Sequence, residues 1–297
     1  MRRGLGMREV SLGGAGVLLG LFIVLPFLWA LSASLQTELA IFQRPPSWAP
    51  APATVANYLY VFTGRIPEGY AVRGLLRSAI TQEARMLPGG LRNSFEIAVG
   101  VIAVNVILGP LAAYTFARDR FRGKEIAYLF ILGSRLLPAV AVAIPTYLIV
   151  KKLGLLDTKV ALVLIYSAFT LPFTIWVLTL YFRSLPKEVE DAALADGCTR
   201  FVALRHVVLP LAAPGVAAIA AFSFLFSYNE FFFALLVTST LNAKTTPVII
   251  ASISVNPDSS YTLIAVGIVL SIIIPMLLAV VFRRFITSTL VASMEQA

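Results

Sequence analysis

One histidine and one cysteine are all that this 297-residue chain has of the two most versatile chemical side chains. No disulfide can form within it. A zinc site needs several N, S or O ligands and would have only His206 and Cys198 to start from. A phosphate-binding loop is missing as well, since the one Gly-Lys pair, Gly123-Lys124, is followed by Glu125 and lacks the upstream glycine. Charge is scarce: 13% of residues are Asp, Glu, Lys or Arg, against about 25% in a soluble domain. So few charges cannot cover a water-soluble globule, which excludes the two soluble domains that the length alone suggests. An intramembrane enzyme needs acids, histidines or metal ligands facing one another. His206 has only Asp196 and Cys198 near it in sequence, so the chain reads as non-catalytic and without a metal.

Apolar residues are abundant. They make up 59% of the chain, and the mean hydropathy is +0.87. Runs of about 20 apolar residues cross a ~30 Å hydrocarbon core as helices. Six spans are expected, at about 10–35, 95–117, 126–150, 160–182, 211–238 and 261–285. The expected fold is an all-α integral membrane protein with one transmembrane domain over 1–297. Pro26, Pro110, Pro138, Pro145, Pro172 and Pro275 fall inside these spans. In a bundle, neighbouring helices satisfy the carbonyls that proline frees. Ala30-Leu-Ser32 has the small-x-small spacing of a signal cleavage site, but the apolar stretch before it is longer than a signal peptide requires.

The net charge of +9 is distributed unevenly. Thirteen basic residues lie at the amino terminus, in the second-to-third and fourth-to-fifth connections, and at Arg283–Arg284. The short loops of the other side hold four: Lys151, Lys152, Lys159 and Lys244. The positive-inside rule then places both termini in the cytoplasm. The basic excess is a topology signal, and no nucleic-acid partner is needed to explain it.

The outer loop, 36–92, enters through Pro45, Pro46, Pro50 and Pro52. It then carries Val72, Leu75, Leu76, Ala79 and Ile80 at helical spacing, opposite Arg73, Arg77 and Glu83. That spacing predicts an amphipathic helix between Ala71 and Ala84. The inner segment 184–210 is longer than a helix–helix connection requires. Pro186 suits a first helical turn, and Glu188, Glu190 and Asp191 complement the dipole there. Leu185, Val189, Ala192 and Ala193 form a narrow apolar stripe. Gly197 supplies a bend after Asp196. A second helix from about Thr199 carries Phe201, Leu204 and Val208 on one face and stops at Pro210. The expectation is a helix–turn–helix below the membrane, with a ridge of small residues able to approach another protein closely.

Glu190-Asp-Ala-Ala193, Asp196-Gly197 and Leu209-Pro210 together resemble the "EAA" loop of binding-protein-dependent ABC importer permeases. In that family the pattern is Glu-Ala-Ala, three residues, Gly, about nine residues, an aliphatic residue, one residue, Leu-Pro. Ala192, Ala193, Gly197, Val207, Leu209 and Pro210 fit it, while Asp191 stands between Glu190 and the alanine pair. The resemblance covers most of the chain. Leu91-Arg-Asn-Ser94, Ala112-Ala-Tyr-Thr-Phe-Ala-Arg-Asp-Arg-Phe-Arg-Gly-Lys124, Leu153-Gly-Leu-Leu-Asp-Thr158, Leu171-Pro-Phe-Thr-Ile-Trp176 and Ser227-Tyr-Asn-Glu-Phe-Phe-Phe-Ala-Leu235 are similar to carbohydrate permeases, above all the six-span second permease subunit of maltose- and trehalose-type transporters.

The resemblance implies a type I ABC importer permease fold in a prokaryotic inner membrane, with a coupling helix at 184–210. It implies a homologous second permease subunit, two cytoplasmic ATPase subunits that bind ATP and magnesium, and an extracytoplasmic sugar-binding protein. Glu190, Asp191, Ala192, Ala193, Asp196, Gly197, Leu209 and Pro210 are then the ATPase-coupling residues. The segment from Thr287 to Ala297 lacks the glycine found in the tail of maltose-type relatives.

Polar groups inside spans are costly in lipid and normally face the bundle interior. Arg135, Asn93, Tyr228, Asn229 and Glu230 are therefore the candidates for the pathway or its gate. Glu96 and Asn105 also lie on the second span, and Phe231–Phe233 follow the gate candidates. A carried solute of another class (glycerol phosphate, an amino sugar or a peptide) is compatible with the same architecture. An ion-driven secondary transporter matches the composition but has no need of the 184–210 loop.

Overall fold

A computed structural model describes residues 7–45, 47–65, 83–255 and 260–294, with side chains from 12 to 282. The described residues form helices and no strand. They divide into two compact units, 1–88 with 249–273 and 89–248 with 274–297.

The first unit opens with α1 (Met7–Ser34). Residues 12–28 are exposed along its whole circumference, a condition an apolar helix tolerates only in lipid or against another subunit. Two short helices follow, α2 (Glu38–Ile41) and α3 (Ala56–Thr63), the latter ending on Gly64 at φ +72°. The unit's core gathers Tyr60, Val61, Leu87, Ile249, Ile253, Leu263 and Val266. Beside it Asn57 donates to the Ser34 and Gln36 carbonyls, each over 2.8 Å, so the chain leaving α1 is held against α3. The amphipathic helix expected between Ala71 and Ala84 falls almost entirely outside the described residues.

The second unit carries most of the remaining helix. α4 (Leu87–Arg118) is 32 residues long, or about 48 Å at 1.5 Å per residue. It therefore outreaches the hydrocarbon core and begins eight residues before the expected span. The third span is broken: α5 (Lys124–Gly133) passes through a 3-10 turn, Ser134–Leu136, into α6 (Ala139–Lys152), with a bend of 99°. Leu137 is extended there, the conformation a following proline imposes. α7 (Lys159–Ser184) is continuous through Pro172.

Beyond the 184–210 loop, α8 (Lys187–Ala195), α9 (Arg200–Ala203), a π-helical run at Leu204–Val208 and α10 (Leu209–Leu211) lead into α11 (Ala213–Asn229). The expected fifth span does not run through to 238. It stops at Asn229 and resumes as α12 (Phe232–Val237), because Glu230 is extended (ψ 131°). A helix not expected from sequence, α13 (Thr246–Val255), precedes α14 (Tyr261–Met294). At ten residues α13 is about 15 Å long, too short to cross a bilayer.

Four helices are each long and apolar enough to span, and two bent pairs pass only when each pair is taken as one span. Small residues allow the second unit's helices to touch. A Cβ on Gly100 would lie 2.8 Å from Val163 Cγ2, and one on Gly109 would overlap Thr174, so α4 meets α7 at backbone distance.

Candidate functional site

Pro186 caps α8 in extended conformation, and the helix ends at Asp196. Gly197 then turns the chain at φ +87°, in the left-handed region that favours glycine. Thr199 Oγ1 accepts the Val202 amide over 3.3 Å and starts α9. The expected helix–turn–helix is present. Its second half differs in register: Leu204 and Val208 are buried, but Phe201 is 59% exposed. Phe201 lies in the helical turn before the π-helical run Leu204–Val208, which carries both buried residues.

The two acids before the alanine pair part company. Glu190 turns inward and is 6% exposed. Its carboxylate accepts from the Tyr114 hydroxyl and, over 2.8 Å, from Arg118 Nε. Arg118 also donates to the Leu185 carbonyl over 3.3 Å. A cavity of ≈120 Å³ opens beside this pair, lined by Arg118, Lys187, Glu190, Asp191, Leu194 and Arg200. Nearby, Arg200 pairs with Asp119, Lys124 Nζ donates to the Asp119 carbonyl over 2.9 Å, and Arg183 donates to the Phe116 carbonyl over 3.3 Å.

Asp191 faces outward with Ala192, Ala195 and Asp196. Counting back from Gly197, Asp191 holds the Glu position of the Glu-Ala-Ala pattern, and Glu190 is a separate inward acid. Tyr114 and Arg118 were not singled out from sequence. Their i, i+4 spacing puts them on one face of α4, but nothing local to that stretch names a partner 72 residues away.

The pathway candidates are scattered. Asn93 is buried and donates to the Leu241 and Lys244 carbonyls over 2.8 and 3.0 Å, pinning the turn before α13. Tyr228 is 1% exposed and stacks on Phe224 with ring centroids 5.4 Å apart. Glu230 caps α12, accepting from the Phe233 and Ala234 amides over 2.9 and 3.2 Å. Asn229 is exposed and donates to the Leu225 carbonyl over 2.8 Å. Arg135 is exposed at the break in the third span, its guanidinium 5.4 Å over the Phe173 ring, and it has no ion-pair partner among the described residues. Glu96 pairs with Arg92 and Lys159, and Asn105 is held by Thr170 and Thr174.

Asp157, a non-glycine residue at φ +58°, accepts from the Ser239 and Thr240 amides and the Thr240 hydroxyl over 2.5–3.0 Å. Burial alone would raise its carboxyl, but these hydrogen bonds outweigh it and hold the group below the usual carboxylate range. Among the described residues no His, Cys, Asp or Glu group is arranged to hold a metal.

Residues 105–295 match the family model described as a binding-protein-dependent transport system inner membrane component. The chain is 30% identical over 292 residues to the trehalose/maltose transport system permease protein MalG of Thermococcus litoralis, covering 96% of each. It is 32% identical to the sulfoquinovosyl glycerol transport system permease protein SmoH of Agrobacterium fabrum, over 92% of this chain and 88% of that one. To the trehalose transport system permease protein SugB of Mycobacterium tuberculosis it is also 32% identical, over 91% of each. In three dimensions it superimposes with a TM-score of 0.73, at 22% identity, on a chain of a bacterial ABC transporter that imports the acidic polysaccharide alginate, covering 96% of this chain and 99% of the other. The fold is thus that of an ABC importer permease, and the chain belongs to the family of binding-protein-dependent transport system inner membrane components, as a non-catalytic permease subunit.

Proposed function

We propose that this chain forms half of the translocation pathway of an ATP-driven sugar importer and couples closure of its ATPase subunits to alternating access. The observation that carries it is the 184–210 loop. Its helix–turn–helix is anchored on one side by Glu190. On the other it presents Val189, Asp191, Ala192, Ala195 and Asp196 to whatever lies outside the chain. Small side chains let a groove on an ATPase close around α8 without strain. Both termini then lie in the cytoplasm, and each bent helix pair counts within one of six spans. The partners are a homologous second permease, two ATPase subunits binding ATP and magnesium, and an extracytoplasmic sugar-binding protein. The trehalose and maltose names of its relatives support a sugar as the solute.

A ligand shifts two conformations only by binding them differently, so the loop must keep its shape as load passes through it. Gly197→Val tests this. A β-branched residue at positive φ is strained whatever the space. The variant is expected to insert and assemble yet lose vanadate-sensitive uptake of radiolabelled trehalose. Full uptake would remove the loop from the coupling mechanism.

Along the pathway, Arg135 and Asn229 are the candidates with exposed side chains. Asn93, Tyr228 and Glu230 shape the wall through their pinning, packing and capping contacts. Arg135→Ala is expected to lower uptake while leaving assembly intact. Uptake and ATPase stimulation both unchanged would take it off the pathway.

A further inference from the structure

The loop's flanking helices, α7 and α11, receive any displacement of α8 through the chain itself. α4 does not, because it is remote from the loop in sequence. Yet the charged end of α4 grips α8. Arg118 and Glu190 are nearly sealed from solvent, with side chains 7% and 8% exposed. The Tyr114 hydroxyl takes the second carboxylate oxygen, and Arg118 reaches on to the Leu185 carbonyl just ahead of α8. A second ion pair, Arg200 to Asp119, ties the helix after the turn to the residue following α4.

A buried charge pair is a poor source of net stability, because desolvation offsets most of its attraction. It is a stiff connection, however, since separating the partners strands a charge out of water. Tyr114 also packs its ring edge-on against Phe182 of α7, with centroids 6.5 Å apart, so the grip sits in the apolar cluster formed by Leu178, Phe182, Leu204 and Val208.

We propose that Glu190 is a positioning residue that clamps the coupling helix to α4, so that ATPase closure moves α4 together with α7 and α11. This rests on the coupling function proposed above for the same loop. It separates the roles of the two adjacent acids: Asp191 belongs to the outer face of α8, and Glu190 transmits load inward. Arg118 and Tyr114 are the other half of the clamp.

The test uses the full transporter, with its ATPase subunits, in a Cys198→Ser background. Spin labels are placed at exposed positions on α4 (Ile107→Cys) and α7 (Leu180→Cys). Spectra are recorded with and without ATP and orthovanadate, which requires no knowledge of the solute. Both labels are expected to respond in the parent protein. In Glu190→Gln the α4 response is expected to fall at least five-fold while the α7 response is retained. The exchanged pair Arg118→Glu/Glu190→Arg, which keeps opposite charges in place, is expected to restore at least half of the α4 response.

An undiminished α4 response in Glu190→Gln would overturn the clamp. So would parallel loss at both positions, since Glu190 would then act in docking or in holding the loop's fold. No response at either label in the parent protein would instead overturn the coupling function itself.

Discussion

Ser260 Oγ donates to Glu38 Oε2 over 2.8 Å, joining residues 222 positions apart. The same carboxylate accepts from the Tyr261 and Thr262 amides over 3.1 and 3.3 Å, so Glu38 caps α14 from the segment that leaves α1. Glu38 is 2% exposed. Removing it leaves buried donors unpaired, at a cost of about 1–3 kcal/mol. Glu38→Ala is therefore expected to lower the unfolding midpoint in detergent, measured by loss of monodisperse protein on heating. An unchanged midpoint would show that water replaces the cap.

Gly109 tests the close approach of α4 to α7. A Cβ there would already overlap Thr174 Cγ2, and Leu178 Cδ1 is 3.8 Å away. Gly109→Leu should force the helices apart and destabilise by about 1–3 kcal/mol, as overpacking does. Gly13→Leu, whose Cβ meets nothing within 4 Å, is expected to be neutral in the same thermal assay.

Asp157 provides a pH dependence with a definite sign. Its carboxyl lies below the usual range in the folded protein, because hydrogen bonds from Thr240, Ser239 and Asn242 outweigh desolvation. A group lowered on folding contributes stability above its unfolded pKa and loses it as pH falls through the folded value. Protection of the Ser239 and Thr240 amides from hydrogen exchange is therefore expected at pH 6, with a decline only on the acid side of the ordinary Asp range. Asp157→Asn removes the charge and is expected to speed exchange at pH 6 by about ten-fold, from the loss of about 1.5 kcal/mol of charge-assisted bonding. Equal protection in the two proteins would show that the carboxylate charge does not hold the turn.

Among the described residues, each of the four helices long and apolar enough to span, and each of the two bent pairs, overlaps an apolar run legible from hydropathy. The breaks in the third and fifth spans were not legible. Pro138 suits a kink as well as a 99° bend, and Glu230 becomes a cap only once α12 folds over it. α13 was hidden for a simpler reason: ten apolar residues are too few for a span. The turn at Gly197 and the capping Thr199 were local signals and were readable in sequence. The inward rotation of Glu190 was not, since it depends on Tyr114 and Arg118 arriving from another helix. Asn93, Tyr228 and Glu230 were picked out because they are polar in an apolar segment. Asn93 serves through a tertiary contact 148 residues away that periodicity does not encode. Tyr228 on Phe224 and Glu230 at the start of α12 instead act within four residues of themselves, once the helix break at Glu230 is in place.

In the proposed coupling, the outer face of α8 is seated in the ATPase. Photo-cross-linking from Ala192, exposed on that face, tests it most directly. Leu241, 42% exposed in the turn before α13, serves as the control at the opposite end of the spans. A photoreactive side chain at 192 is expected to give an adduct with the ATPase subunit, and one at 241 none. No adduct from 192, or an ATPase adduct from 241, would contradict both the docking of α8 and the orientation of the chain.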